Sequence, residues 1–217
     1  MEFDEAFEEL PLIAILRGLR PEEAVDIATA LFNAGLRILE VPLNSPSPLA
    51  SIERIAAQFD EKMLIGAGTV LDAKAVAKVA DAGARLIVSP NFDRTVVRAT
   101  KERGLVSIPG IATPSEAFAA LGAGADALKL FPAEMIAPNV VRSIRAVLPK
   151  EARLIPVGGI APETMPAYRE AGADGFGIGS ALFKPGMSLK EVAAAAAKFV
   201  ELMRKVRARV GRKLKQC

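Results

Sequence analysis

The 217-residue sequence has no histidine and no tryptophan, one tyrosine, Tyr168, and one cysteine, Cys217, at its final position. Without histidine there is no Ser-His-Asp or Cys-His triad, no imidazole-bound zinc and no imidazole acid or base. A lone cysteine excludes an internal disulfide and a thiolate metal cluster. A histidine- or cysteine-held metal is therefore excluded; no cofactor is expected, and proton transfer falls to carboxylates, lysines, Tyr168 or water. Long apolar runs are also lacking, since none reaches the roughly 20 residues that span a bilayer, so no membrane partner is expected. The opening Met1-Glu-Phe-Asp-Glu-Ala-Phe-Glu-Glu-Leu10 is acidic where an export leader would be basic, which makes a cytoplasmic protein the expectation. Phe3, Phe7 and Leu10 share one helical face, the mark of a short amphipathic helix laid against the body of the domain.

The basic pI of about 9.1 is a local effect. Residues 204–217 hold Arg204, Lys205, Arg207, Arg209, Arg212, Lys213 and Lys215 and no acid. Without those seven, 21 of the 28 basic residues remain against 25 acids, leaving the body at −4. The tail reads as a solvated helix end with cations at the negative pole of the dipole. Nucleic acid is not expected as a partner.

Strand and helix signals alternate along the rest of the chain. Apolar runs at Leu12 to Leu16, Arg37 to Val41, Met63 to Ala67, Leu86 to Ser89, Val106 to Ile108, Ala127 to Phe131, Leu154 to Val157 and Gly175 to Ile178 predict eight strands. Helices are expected from Pro21 to a stop at Gly35, and over 47–59, 72–82, 93–103, 115–121, 138–148, 162–171 and 189–206. Strands separated by helices must pair in parallel. An open doubly wound sheet stays possible, but eight near-equal units favour one (β/α)8 TIM barrel over residues 1–203, with the short N-terminal helix before it and 204–217 as a basic helix end. The C-terminal ends of its strands would then form the active face.

Lys129 stands out in Ala127-Leu-Lys-Leu-Phe131. Strand side chains alternate faces, so it shares a face with Ala127 and Phe131. Burial drives an ammonium toward the neutral amine, and a neutral lysine attacks carbonyls to give Schiff bases. A lysine at a strand end whose head reaches water would satisfy the same pattern. Other polar residues fall at the same ends: Arg17 after Ile13 and Ile15, Glu40 on the face of Ile38, and Thr69 after the third strand. Glu40 and Lys129 fit either acid–base chemistry or a structural ion pair. Gly158-Gly159 after strand seven and Gly177-Ile-Gly-Ser180 after strand eight let backbone N–H groups approach an anion, and loops seven and eight are the usual phosphate site of such a barrel.

Together Ile15-Leu-Arg-Gly18, Glu40-Val-Pro-Leu-Asn-Ser-Pro46, Ile65-Gly-Ala-Gly-Thr-Val70, Ser89-Pro-Asn91, Leu128-Lys-Leu-Phe-Pro132, Pro156-Val-Gly-Gly159 and Gly177-Ile-Gly-Ser180 resemble the class I aldolases of 2-dehydro-3-deoxy-6-phospho sugar acids. The resemblance runs from about Leu12 to Val200. It implies Lys129 as the Schiff-base lysine, Glu40 as acid/base, Arg17 and Thr69 at the substrate carboxylate, and Gly159, Gly179 and Ser180 at the phosphate. It also implies Phe131 and Val157 in the substrate pocket, pyruvate and a phosphorylated sugar acid as ligands, and a homotrimer. Members acting on the gluconate epimer usually carry arginine and threonine where this chain has Asn44 and Val157. Those departures resemble the members acting on the galactonate epimer, while gluconate or dual specificity stays open. An epimerase or thiamine-phosphate-type synthase, or a non-catalytic barrel used as an assembly subunit through Cys217, are the rival readings.

Overall fold

A computed structural model of the chain describes residues 1–59 and 61–214, with side chains as far as Arg207. Lys215 and Cys217 lie outside the described residues, as do the side chains of Arg209, Arg212 and Lys213.

Helix α1 (Phe3–Glu9) precedes β1 (Leu12–Ile15), and strands and helices then alternate as expected. They run α2 (Ala24–Ala34), β2 (Ile38–Pro42), α3 (Pro48–Phe59), β3 (Leu64–Gly68), α4 (Ala73–Asp81), β4 (Leu86–Val88) and α5 (Arg94–Glu102). Next come β5 (Val106–Ile108), β6 (Gly110–Ile111), α6 (Pro114–Gly122), β7 (Leu128–Leu130) and a 3-10 turn, Ala133–Met135. The chain continues through α7 (Pro138–Val147), β8 (Leu154–Pro156), α8 (Met165–Glu170), β9 (Phe176–Ile178) and α9 (Leu189–Leu214).

The helix starts carry their own chemistry. Asp72 accepts from Ala75 N at α4, and Asp93 from Thr95 N and Val96 N at α5. Thr113 and Glu116 close a capping box on α6 behind Pro114. Gly35 ends α2 in the left-handed region, φ 108°, where a side chain would strain the backbone. Several expected bounds shift, α8 among them, which begins at Met165 and not at Pro162. Pro21 to Glu23 form a turn, held by Glu23 accepting from Arg20 N, so α2 begins at Ala24. The fifth strand continues past Pro109 as β6, because proline cannot donate to the ladder and breaks it in two. Helix α9 does not stop at Val206 but runs to Leu214.

All strand pairs are parallel. One sheet has the order β5-β4-β3-β2-β1-β9 and the other β6-β7-β8. The sheets meet at both margins: Lys129 N donates to Pro109 O at 2.9 Å, and Val157, just past β8, bridges Gly177 of β9. Side chains of alternate parity enter two cores. Leu12, Ala14, Leu39, Val41, Ile65, Ala67, Leu128 and Leu130 pack toward the helices. Ile13, Ile15, Ile38, Leu64, Leu86, Val88, Ile108, Ala127, Ile155 and Val157 form the inner core together with Phe3 and Phe7 of α1. A sheet buried on both faces explains why its strands read as nearly unbroken apolar runs. Arg17, Glu40 and Lys129 share the parity of the inner set, whereas Thr69, just past β3, has the parity of Ile65 and Ala67 in the outer one.

Candidate active site

Lys129 lies mid-strand on β7, between Gly110 of β6 and Ile155 of β8. It is 6% exposed, and its Nζ stands 4.6 Å from the centroid of the Phe131 ring. Burial holds its pKa below the usual lysine value; the Glu40 carboxylate pulls it back up, and the Arg17 cation depresses it further.

Glu40 lies on β2, flanked by Ile15 of β1 and Gly66 of β3, and is 2% exposed. Its Oε2 is buried without a hydrogen-bond partner. Burial pushes its pKa up to about 7, against the opposing pull of Lys129 and then Arg17. The carboxylate rests on Gly68 at the end of β3, where any Cβ would overlap it. The glycine at position 68 thus makes room for the acid. Thr69 follows directly with φ 57°, a left-handed conformation costly for a β-branched residue and of the kind that collects at functional sites.

Among the described residues Glu40 and Lys129 form no ion pair within 4 Å. Each senses the other's charge without being locked by it, so the structural ion pair allowed above does not form.

Arg17 projects from the loop after β1 and is exposed; its Nη1 donates to Asn44 Oδ1 at 2.7 Å. The next residue, Gly18, donates its N–H to Ser45 Oγ at 2.9 Å, so the loops after β1 and β2 are tied side by side.

A cleft of about 720 Å³ opens between the ends of β1, β7, β8 and β9. Arg17, Phe131, Val157, Gly159, Gly179 and Ser180 line it, as do Glu134 and Lys184. Lys129 does not line the cleft itself but sits against Phe131, which does, and Glu40 on β2 and Thr69 just past β3 also lie outside its walls. Gly158 and Gly159 have φ of 106° and 60°, so only glycine adopts this turn without strain. Val157 packs against Gly177, whose missing side chain admits it. The arrangement offers a buried amine, a carboxyl titrating near neutrality and an open cleft with glycine turns at one end.

Three contributors escaped sequence reasoning. Gly68 was visible only as one of two alternate glycines in Gly66-Ala-Gly68. Lys184 and Glu134 carried no signal beyond their charge. Among the described residues no group of three or more Cys, Asp or Glu side chains could hold a metal ion, and no helix is long and apolar enough to cross a membrane.

Residues 3–200 match the family profile described as KDPG and KHG aldolase. A Rhizobium meliloti protein named probable 2-dehydro-3-deoxy-6-phosphogalactonate aldolase is 48% identical over 184 residues, covering 85% of this chain and 87% of its own. The Escherichia coli 2-dehydro-3-deoxy-6-phosphogalactonate aldolase is 44% identical over 196 residues, covering 90% and 96%. A solved structure described as native KDPGal superposes with a TM-score of 0.91 at 43% identity, covering 92% of this chain and 97% of that one. The profile match over residues 3–200 and the identity to these relatives over most of both chains establish that the chain belongs to the KDPG and KHG aldolase family.

Proposed function

We propose that this chain is a class I aldolase that reversibly cleaves 2-dehydro-3-deoxy-6-phosphogalactonate to pyruvate and D-glyceraldehyde 3-phosphate through a Schiff base on Lys129. The observation that carries the proposal is Lys129 itself, buried on the inner face with a depressed pKa and no ion pair among the described residues. Its neutral amine adds to the C2 ketone, and loss of water leaves a protonated imine. Glu40 takes the C4 hydroxyl proton as the C3–C4 bond breaks, and the bond's electron pair moves into the imine as an enamine. Glyceraldehyde 3-phosphate departs; protonation at C3 and hydrolysis of the imine then free pyruvate and the lysine.

In the same reading Arg17 and Thr69 hold the substrate carboxylate, Phe131 walls the reacting carbons, and Gly159, Gly179 and Ser180 take the phosphate. The galactonate epimer is supported by the names of the two relatives and by Asn44 and Val157. Asn44 here orients Arg17, and Val157 presents methyl groups where a hydroxyl would change the contacts of the C4 position. We further propose that residues 1–203 close into one (β/α)8 barrel, supported by the backbone contacts at both sheet margins. A cytoplasmic homotrimer completes the proposal, and the exposed Phe118, Met135 and Val147 are apolar surface that such an assembly would cover.

The test is a coupled pyruvate assay on both six-carbon phosphates. The galactonate epimer should have the higher kcat/KM by about 10-fold or more, the discrimination that one altered pocket contact supplies. Equal values, or a preference for gluconate, would overturn the epimer assignment.

A further inference from the structure

The phosphate end of the cleft contains a carboxylate. Glu134, in the turn Ala133–Met135 after β7, lies directly over the glycine turn: its Oε2 and Cδ are the atoms nearest a side chain placed at Gly158, and its Cγ, Cδ and Oε1 those nearest one at Gly159. The side chain is exposed and, among the described residues, makes no hydrogen bond or ion pair. Two cations, Arg17 and Lys184, line the same cleft. The charge of Glu134 is felt behind it as well. Tyr168, whose hydroxyl donates to Ala133 O at 2.8 Å, has a raised pKa through burial and then through Glu134.

A carboxylate left unpaired on a glycine turn has the wrong sign for a phosphate ligand. Its position is nevertheless held by the backbone, because Ala133 N donates to Val157 O at 2.8 Å and so joins the turn to the strand end before Gly158. We propose that Glu134 is a specificity-determining residue of the phosphate end, opposing the phosphate dianion so that inorganic phosphate and the three-carbon phosphorylated product bind weakly and leave readily. This rests on the aldolase reading above. Lys184 attracts the dianion while Arg17 serves the carboxylate end, and Glu134 sets how strongly the cleft retains the phosphate.

The test uses Glu134→Gln, which keeps size and removes charge, and Glu134→Asp, which keeps charge. Inorganic phosphate binding is measured by calorimetry, and KM for the phosphorylated sugar acid by the pyruvate assay. For Glu134→Gln both the phosphate dissociation constant and KM should fall roughly 3- to 10-fold, an advantage that shrinks as salt rises. Glu134→Asp should stay within about 2-fold of wild type. Unchanged or weaker phosphate binding by Glu134→Gln overturns the proposal, and so does equal tightening by both variants, which would assign the effect to size. Absence of phosphate binding by wild type and Glu134→Gln alike overturns it too. Exchange of the methyl protons of pyruvate by the wild-type enzyme, which needs no phosphate, tells separately whether the Lys129 chemistry stands.

Discussion

Two titratable groups on one inner face, near enough to feel each other's charge but not paired, define the site at the scale of residues. Burial acts on them in opposite directions, raising Glu40 and lowering Lys129, so each is pushed toward its neutral form. The activity should follow Glu40. As the proposed base it must be ionised, so kcat/KM should rise with pH through about 7. Glu40→Gln should lower the rate by about 10² to 10⁴ and remove that limb of the profile. Stability should move the other way. The folded state keeps the Glu40 proton to about 7 while the unfolded chain loses it near 4.5, so between those values rising pH favours unfolding. Denaturant melts of wild type should lose about 3 kcal/mol across this window relative to Glu40→Gln. A variant with wild-type rate and an unaltered pH profile would remove Glu40 from the chemistry. Both residues were legible in the sequence, since each is a charge on a strand otherwise apolar. Their separation was not, because it depends on the register of β2 against β3 and of β7 against β6.

Elements place these residues more than any local motif does. Strand β3 ends in Gly66-Ala-Gly68, and both glycines face inward, one beside Leu86 and one beneath the Glu40 carboxylate. Gly68→Ala should therefore force the carboxylate off its seat. We expect kcat to fall more than 10-fold, as a displacement of about 1 Å in a catalytic group costs far more than that methyl costs the fold. Far-ultraviolet circular dichroism should be retained, and an activity within 2-fold of wild type would show that Gly68 does not position Glu40. The alternation of strands and helices was readable because apolar runs and capping residues repeat. The break at Pro109 was readable only in hindsight, since proline marks an interruption without saying whether the strand resumes. The start of α2 misled because Pro21-Glu22-Glu23 has the composition of a first helical turn, whereas Glu23 accepts from Arg20 and closes a separate turn instead.

Across the whole molecule the two cores divide the labour. The outer core fastens helices to the sheets, and the inner core ends in polar side chains at the C-terminal strand ends and in α1 at the other end. Phe7 packs against Gly175, and Arg153 lies over the Phe3 and Phe7 rings while pairing with Asp4 at 2.6 Å. The basic helix end takes part too: Arg207 donates to Glu8 O at 2.6 Å and Glu9 O at 2.9 Å, satisfying carbonyls at the end of α1. An amphipathic first helix was legible from Phe3, Phe7 and Leu10. Its partners, distant in sequence by well over a hundred residues, were not. The most direct test of the account is borohydride reduction of the wild-type enzyme with pyruvate, followed by peptide mass spectrometry. A reduced pyruvate adduct on Lys129, absent from a folded Lys129→Ala variant, is the predicted result. No adduct from folded wild-type protein, or an adduct confined to another lysine, would contradict the Schiff-base mechanism.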